Sequence, residues 1–129
     1  MADHYENMLD QLIGGTLDPE SFSHRDHVGV AFVALDRFEF FEALYRLADG
    51  LKDLATRAGV PEKFNATITF YFMSLIAERK SGASCGSATD FIEANPDLLG
   101  SAIIGDVMQG SRMQSDLAKS VPLFPESAA

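Results

Sequence analysis

The stretch that most restricts the fold of this chain is His24-Arg25-Asp26-His27-Val28-Gly29-Val30-Ala31-Phe32-Val33-Ala34-Leu35, in which one polar turn leads into eight consecutive apolar or small residues. A helix that is apolar on every side has to be enclosed by other elements, because no face of it can be given to water. The run is far short of the roughly 20 apolar residues that cross a membrane, and Asp36 and Arg37 follow it at once. The rest of the chain must therefore supply helices that wrap this one, and two histidines enter the protein where the burial signal is strongest.

The start of that helix is marked locally. Ser23 can accept a hydrogen bond from the backbone N–H of Asp26 while the Asp26 carboxylate reaches back, a capping-box variant that also puts negative charge at a helix N-terminus. A helix over 24–35 is expected. Upstream, Tyr5, Met8, Leu9, Leu12 and Ile13 recur every three or four residues, which predicts a first helix over 4–13, stopped by Gly14-Gly15. Beyond a break at Asp36-Arg37, a long third helix has Phe40, Phe41, Leu44, Leu47, Leu51, Leu54 and Ala55 on one side. Its other side carries Glu39, Glu42, Arg46, Lys52, Asp53 and Arg57. Gly59-Val60-Pro61 ends it.

A fourth helix is expected over about 63–79, through Phe64, Ile68, Phe72, Leu75 and Ile76; residues 67–72 alone resemble a strand, but the segment is too long and its period too near 3.6. Ser87-Ala88-Thr89-Asp90 repeats the cap signature and opens a fifth helix that closes at Asn95-Pro96. Residues 97–104 begin a sixth, weakened by Gly100 and Gly105, and 115–119 add a further turn. Val121-Pro122-Leu123-Phe124-Pro125 reads as an extended apolar tail. The expected fold is all-α: a compact single-domain bundle of five or six helices over 1–129, with helices two and four central because they are the least charged.

Composition narrows the partners. A chain of 129 residues that is 47% hydrophobic, with ten Phe, can bury one sizeable core. Its formal charge of −9 argues against nucleic acid and against anionic membrane surfaces, both of which select Lys and Arg. The opening Met1-Ala2-Asp3-His4-Tyr5-Glu6 is acidic and lacks the basic-then-apolar pattern of a secretory signal, so a soluble cytoplasmic protein is expected. Cys85 is the only cysteine, which excludes an intrachain disulfide; it lies in the small-residue loop 82–87 with no activating base beside it in sequence.

His24 and His27 are three residues apart, so they share a helical face and can reach a common point. Imidazole suits zinc, iron, nickel or copper, but such a site needs a third ligand. On helix four, Thr67, Tyr71, Ser74 and Glu78 are spaced by four, three and four, which sets hydroxyls, a phenol and a carboxylate on one stripe. In a functional arrangement the stripe meets the histidines inside the bundle, and Glu78 completes a His24–His27–Glu78 divalent-metal set or orients an imidazole. In a purely structural one, an imidazole bonds a backbone carbonyl and the stripe faces solvent. Asn65 either bonds a ligand at the mouth of a pocket or caps the helix. His4 is expected to be solvated, and Arg112, between Met108 and Met113, either holds an anion or lies on the surface. The sequence contains no Gly-rich phosphate loop, nucleophile elbow or C-x-x-C motif.

Together these motifs resemble a family of small, mostly uncharacterised bacterial helical proteins. Its pattern is F-x-H-x-x-H, then Y-H-x-T-I-T after a Gly-Pro-containing turn, an acidic residue further on, D-F-x-x-x-N-P and a proline-containing tail. The corresponding residues are Phe22-Ser23-His24-Arg25-Asp26-His27, Phe64-Asn65-Ala66-Thr67-Ile68-Thr69, Glu78, Asp90-Phe91-Ile92-Glu93-Ala94-Asn95-Pro96 and Pro122-Leu123-Phe124-Pro125. The resemblance covers most of the chain and implies an all-helical fold. It departs where the pattern has Tyr-His and this chain has Phe64-Asn65, which removes a third imidazole; asparagine is a poor zinc ligand.

Two functions are compatible with these residues. One is a polar small-molecule or metal-binding pocket between helices two and four, built from His24, His27, Asn65, Thr67, Tyr71 and Glu78, with a divalent metal as one candidate occupant. If such a site were enzymatic, a histidine would be its natural acid or base near neutral pH. The other is a non-catalytic interaction or homo-oligomerisation module, a homodimer in the simplest case. There helix three and the tail form an apolar interface and the histidines are structural.

Overall fold

Helix α2 (His24–Arg37) lies at the centre of the structure, packed against α1 (His4–Gly14), α3 (Phe40–Arg57), α4 (Ala66–Ser81) and α5 (Ala88–Ala94). Two short helices, α6 (Gly110–Met113) and α7 (Asp116–Ser120), follow, and 3-10 turns occupy Pro19–Ser21, Pro61–Lys63 and Pro96–Leu99. This computed structural model describes residues 4–82, 86–99 and 110–124, and all regular elements among the described residues are helical. The molecule is an all-α bundle.

The breaks between helices follow from local chemistry. Ser23 Oγ accepts from Asp26 N–H at 3.2 Å and Asp26 Oδ2 accepts from Ser23 N–H at 3.0 Å, so the capping box that starts α2 is closed in both directions. Ser87 Oγ caps α5 by accepting from Asp90 N–H at 3.2 Å, and the Glu39 carboxylate caps α3. After α1 and α3 the chain turns through Gly15 (φ 74°) and Gly59 (φ 79°), a backbone region that disfavours a Cβ. The N–H of Val60 returns to Ala55 O and that of Gly59 to Thr56 O, the paired bonds of a Schellman stop.

The core forms because α2 buries every residue from 28 to 34: Val28, Val30, Ala31 and Ala34 are inaccessible to solvent, and Leu9, Leu12, Leu47, Ile76, Phe91 and Ile92 close around them. Each large aliphatic or aromatic side chain so buried contributes roughly 1.5–3 kcal/mol. Gly29 sets the distance between α1 and α2, since a Cβ there would lie 2.5 Å from the Tyr5 ring. Gly50 does the same between α3 and α1: a Cβ there would meet Leu12 Cγ at 2.7 Å and Leu12 O at 3.2 Å.

Several boundaries differ from the sequence expectation. Helix α2 continues to Arg37, and its C-cap N–H, from Phe38, returns to Ala34 O. Helix α4 begins at Ala66, because residues 61–63 form a separate 3-10 turn behind Pro61 and the Asn65 side chain caps the true start. Residues 96–99 are a 3-10 turn where a sixth helix was expected to begin; the remainder of that segment, like Met108, Cys85 and Pro125, lies outside the described residues. Phe41 is 71% exposed although its spacing matches the apolar side of α3, because the face turned to the core is Ala43, Leu47, Gly50 and Leu54. No described helix is long and apolar enough to cross a membrane.

Candidate functional site

Helix α4 carries polar groups on two sides, and they serve different ends. On one side Thr67, which is inaccessible to solvent, donates its hydroxyl to Ala118 O at 2.8 Å and to Val121 O at 3.1 Å, and accepts from Leu123 N–H at 3.1 Å. One turn on, Tyr71 donates its hydroxyl to Leu123 O at 2.7 Å, and burial pushes the phenol pKa up against an opposing influence from Arg112. Arg112 donates to Phe124 O from Nε at 3.3 Å and Nη2 at 3.1 Å. These bonds fasten the backbone of residues 118–124 along α4. They explain how this helix buries Thr67 as well as Phe72, Met73 and Ile76: the C-terminal segment covers the side that the bundle leaves open.

The histidines face another side of α4. The His24 Nε2–H donates to Leu98 O at 3.0 Å, which ties the start of α2 to the 3-10 turn after α5. The His27 ring lies 5.2 Å from Phe72 and 5.7 Å from Phe22, centroid to centroid, and 6.1 Å from the His24 ring. Its Nε2 is buried and has no hydrogen-bond partner among the described residues. Burial, and secondarily the neighbouring His24, lower the His27 pKa to about 4, so the imidazole is neutral at pH 7.

Asn65 lies between the two groups. Its Oδ1 accepts from Ile68 N–H at 3.0 Å, capping α4, while its Nδ2 donates to Met113 O at 2.6 Å. Asn65 and His27 also line a cavity of about 290 Å³ whose wall is otherwise mainly apolar: Phe22 ahead of α2, Leu51, Leu54 and Ala55 from the second half of α3 with Ala58 just beyond it, Phe64 ahead of α4 and Ile68 in its first turn. Thr69 and Lys63 complete the polar part of the lining.

Of the six residues expected to form one pocket, the cavity thus includes His27 and Asn65, and Thr67 and Tyr71 bind the C-terminal segment instead. The reason is angular. At about 3.6 residues per turn, Phe72, which touches both imidazoles, stands roughly 140° around α4 from Thr67. Glu78 is exposed. The set His24, His27 and Glu78 does not assemble: among the described residues no three His, Cys, Asp or Glu side chains come together to hold a metal. With the His24 Nε2 engaged by Leu98 O and both ends of the Asn65 amide engaged by backbone, the residues present do not fit a resident metal ion.

The wall supplied by α3 and by Lys63 was not among the sequence-derived site residues. The signal for it is weak: Ala55 and Ala58 are small residues opposite Phe64 and Ile68, which leaves room between the helices. The signal for the docked segment was stronger, since Thr67 and Tyr71 form a polar stripe away from the Phe64–Ile68–Phe72–Ile76 stripe, and the tail they hold is itself apolar. Comparisons of the chain with protein-family models, with curated proteins and with solved structures found no match.

Proposed function

We propose that the protein binds a small molecule in the cavity bounded by the start of α2, the second half of α3 and the start of α4. The observation that carries this reading is the pairing of a mainly apolar recess of about 290 Å³ with a neutral imidazole whose Nε2 has no partner. Ligand sites combine an apolar wall with a few polar groups in this way, and the volume is at the lower end of the usual range of about 300–1,000 Å³. His27 lines the recess, and its ring packs against Phe22, His24 and Phe72. An imidazole with a pKa of about 4 is a weak base at pH 7, which favours binding over proton transfer. A fragment screen followed by amide NMR tests the reading. Compact fragments are expected to shift the resonances of Leu54, Val60 and Ile68, and Ala55→Phe, which fills the recess, is expected to abolish those shifts while the protein stays folded. A folded protein in which no fragment moves these resonances would defeat it.

A second reading, self-association into a homodimer, is supported by a separate surface. Phe41 and Tyr45 on α3 are 71% and 69% exposed and border a groove of about 200 Å³ with Phe70 and Pro122, next to Phe124 at 86% exposure. Large aromatic side chains clustered on a surface mark contact sites more often than they mark ordinary solvent-facing helix. Sedimentation velocity is expected to give a dimer that Tyr45→Ser converts to monomer; a wild-type monomer at all accessible concentrations would remove this reading.

A further inference from the structure

We infer that the ligand of the α2–α3–α4 cavity is a compact apolar monocarboxylate, its hydrocarbon or aromatic body against Leu51, Leu54 and Ile68 and its carboxylate at Lys63. This deepens the binding reading above and rests on it. The chain holds 19 acidic residues, yet among the described residues not one Asp or Glu lines this cavity, whereas Lys63 does. The ion pairs of the described residues lie elsewhere: Arg37 pairs with Asp10, Arg46 with Glu42, Arg57 with Asp53, Arg79 with Asp97 and Lys80 with Asp36, and none of these residues lines the cavity. Lys52, on the neighbouring turn of α3, lies over the Phe64 ring at 5.3 Å. Lys63 is exposed and has no carboxylate within ion-pairing distance among the described residues, so its charge is the one this lining brings to the recess in a protein of net charge −9. An anion entering there exchanges the field of the acidic surface for that of a single cation.

The number and type of donors limit the anion further. A phosphate dianion is usually held by an arginine fork, by several cations or by a row of backbone N–H groups, and no arginine lines this cavity. One lysine matches one negative charge. The remaining wall is Phe22, Phe64, Leu51, Leu54, Ile68 and small alanines, which suits a hydrocarbon or phenyl body and offers little to a sugar. His27, uncharged at pH 7, adds hydrogen-bonding capacity without competing for the charge.

The full-length protein can be titrated with phenylacetate and 4-methylpentanoate, and in parallel with the corresponding neutral amides, and followed by amide NMR. Both carboxylates are expected to bind at least tenfold more tightly than their amides, with shifts at Leu54, Val60 and Ile68. Lys63→Gln, an exposed substitution, is expected to erase that preference, so that each carboxylate binds no more tightly than its amide. If the amides bind the wild type as well as the carboxylates do, or if Lys63→Gln keeps the preference, the monocarboxylate inference is wrong while the cavity remains a binding site. If neither kind of probe moves those resonances, the binding reading fails and takes the inference with it.

Discussion

Lowering the pH from 7 to 4.5 is expected to destabilise the wild-type protein more than a His27→Leu variant, by about 2 kcal/mol at the lower pH. The sign follows from the direction of the shift. His27 titrates near 4 in the folded protein and at its ordinary value of 6.5 once unfolded, so between these values the unfolded chain binds a proton that the native state refuses. The stability associated with the neutral imidazole is therefore complete above about pH 6.5, is lost as the pH falls towards 4, and declines no further below that. Carboxylates also titrate in this range, but they are common to both proteins and cancel in the difference. At pH 7 the variant is expected to match or exceed the wild type, since leucine replaces a ring whose buried nitrogen has no partner. Urea denaturation at constant ionic strength checks this: the two stability curves should converge near pH 7 and separate on the acid side. Parallel curves would mean that water reaches the imidazole and that its pKa is ordinary, and the picture of a dry, neutral histidine beside the cavity would have to be abandoned.

The features that were legible in the sequence are those fixed by neighbouring residues. The capping box at Ser23 and Asp26, the glycine stops at Gly15 and Gly59 and the core stripes of α1 and α2 depend on chemistry within a turn or two of the chain, and each has its expected counterpart in the structure. The candidate site was less legible because it depends on which sides of α4 meet which partners. A polar stripe of Thr67, Tyr71, Ser74 and Glu78 has the same spacing whether it faces a pocket, solvent or a strap of the same chain. Residues 118–124, some fifty positions downstream, decide the matter for Thr67 and Tyr71. Of the two roles open to Asn65, the structure has the cap: its Oδ1 accepts from Ile68 N–H, while its Nδ2 holds Met113 O, because the amide has separate acceptor and donor ends. The α3 wall could not be read from periodicity, since Leu51, Leu54 and Ala55 look alike whether they close a core or border a recess.

Thr67→Val is expected to loosen the C-terminal segment and cost about 2–4 kcal/mol, a large effect for a change that preserves side-chain shape. The hydroxyl is inaccessible to solvent and links three backbone groups, at Ala118, Val121 and Leu123. Valine fills the same space but bonds none of them. If the segment stayed in place, two carbonyls and an N–H would lose a partner, at about 1–3 kcal/mol for each that remains dry. If it lifted away, those groups would regain water while Met113, Ala118 and Leu123 lost their apolar contacts with the core. Tyr71→Phe removes one bond at a half-buried phenol and is expected to cost about 1 kcal/mol. Amide hydrogen exchange at Leu123 should accelerate strongly in Thr67→Val and modestly in Tyr71→Phe; unchanged protection in both would show that apolar contact alone holds the segment. The same variant discriminates between the two roles open to this stripe. A structural Thr67 leaves probe affinity at the cavity unchanged once the protein is folded, because Ile68 lines the cavity and Thr67 does not. A Thr67 that bound ligand would instead lower affinity with little change in stability.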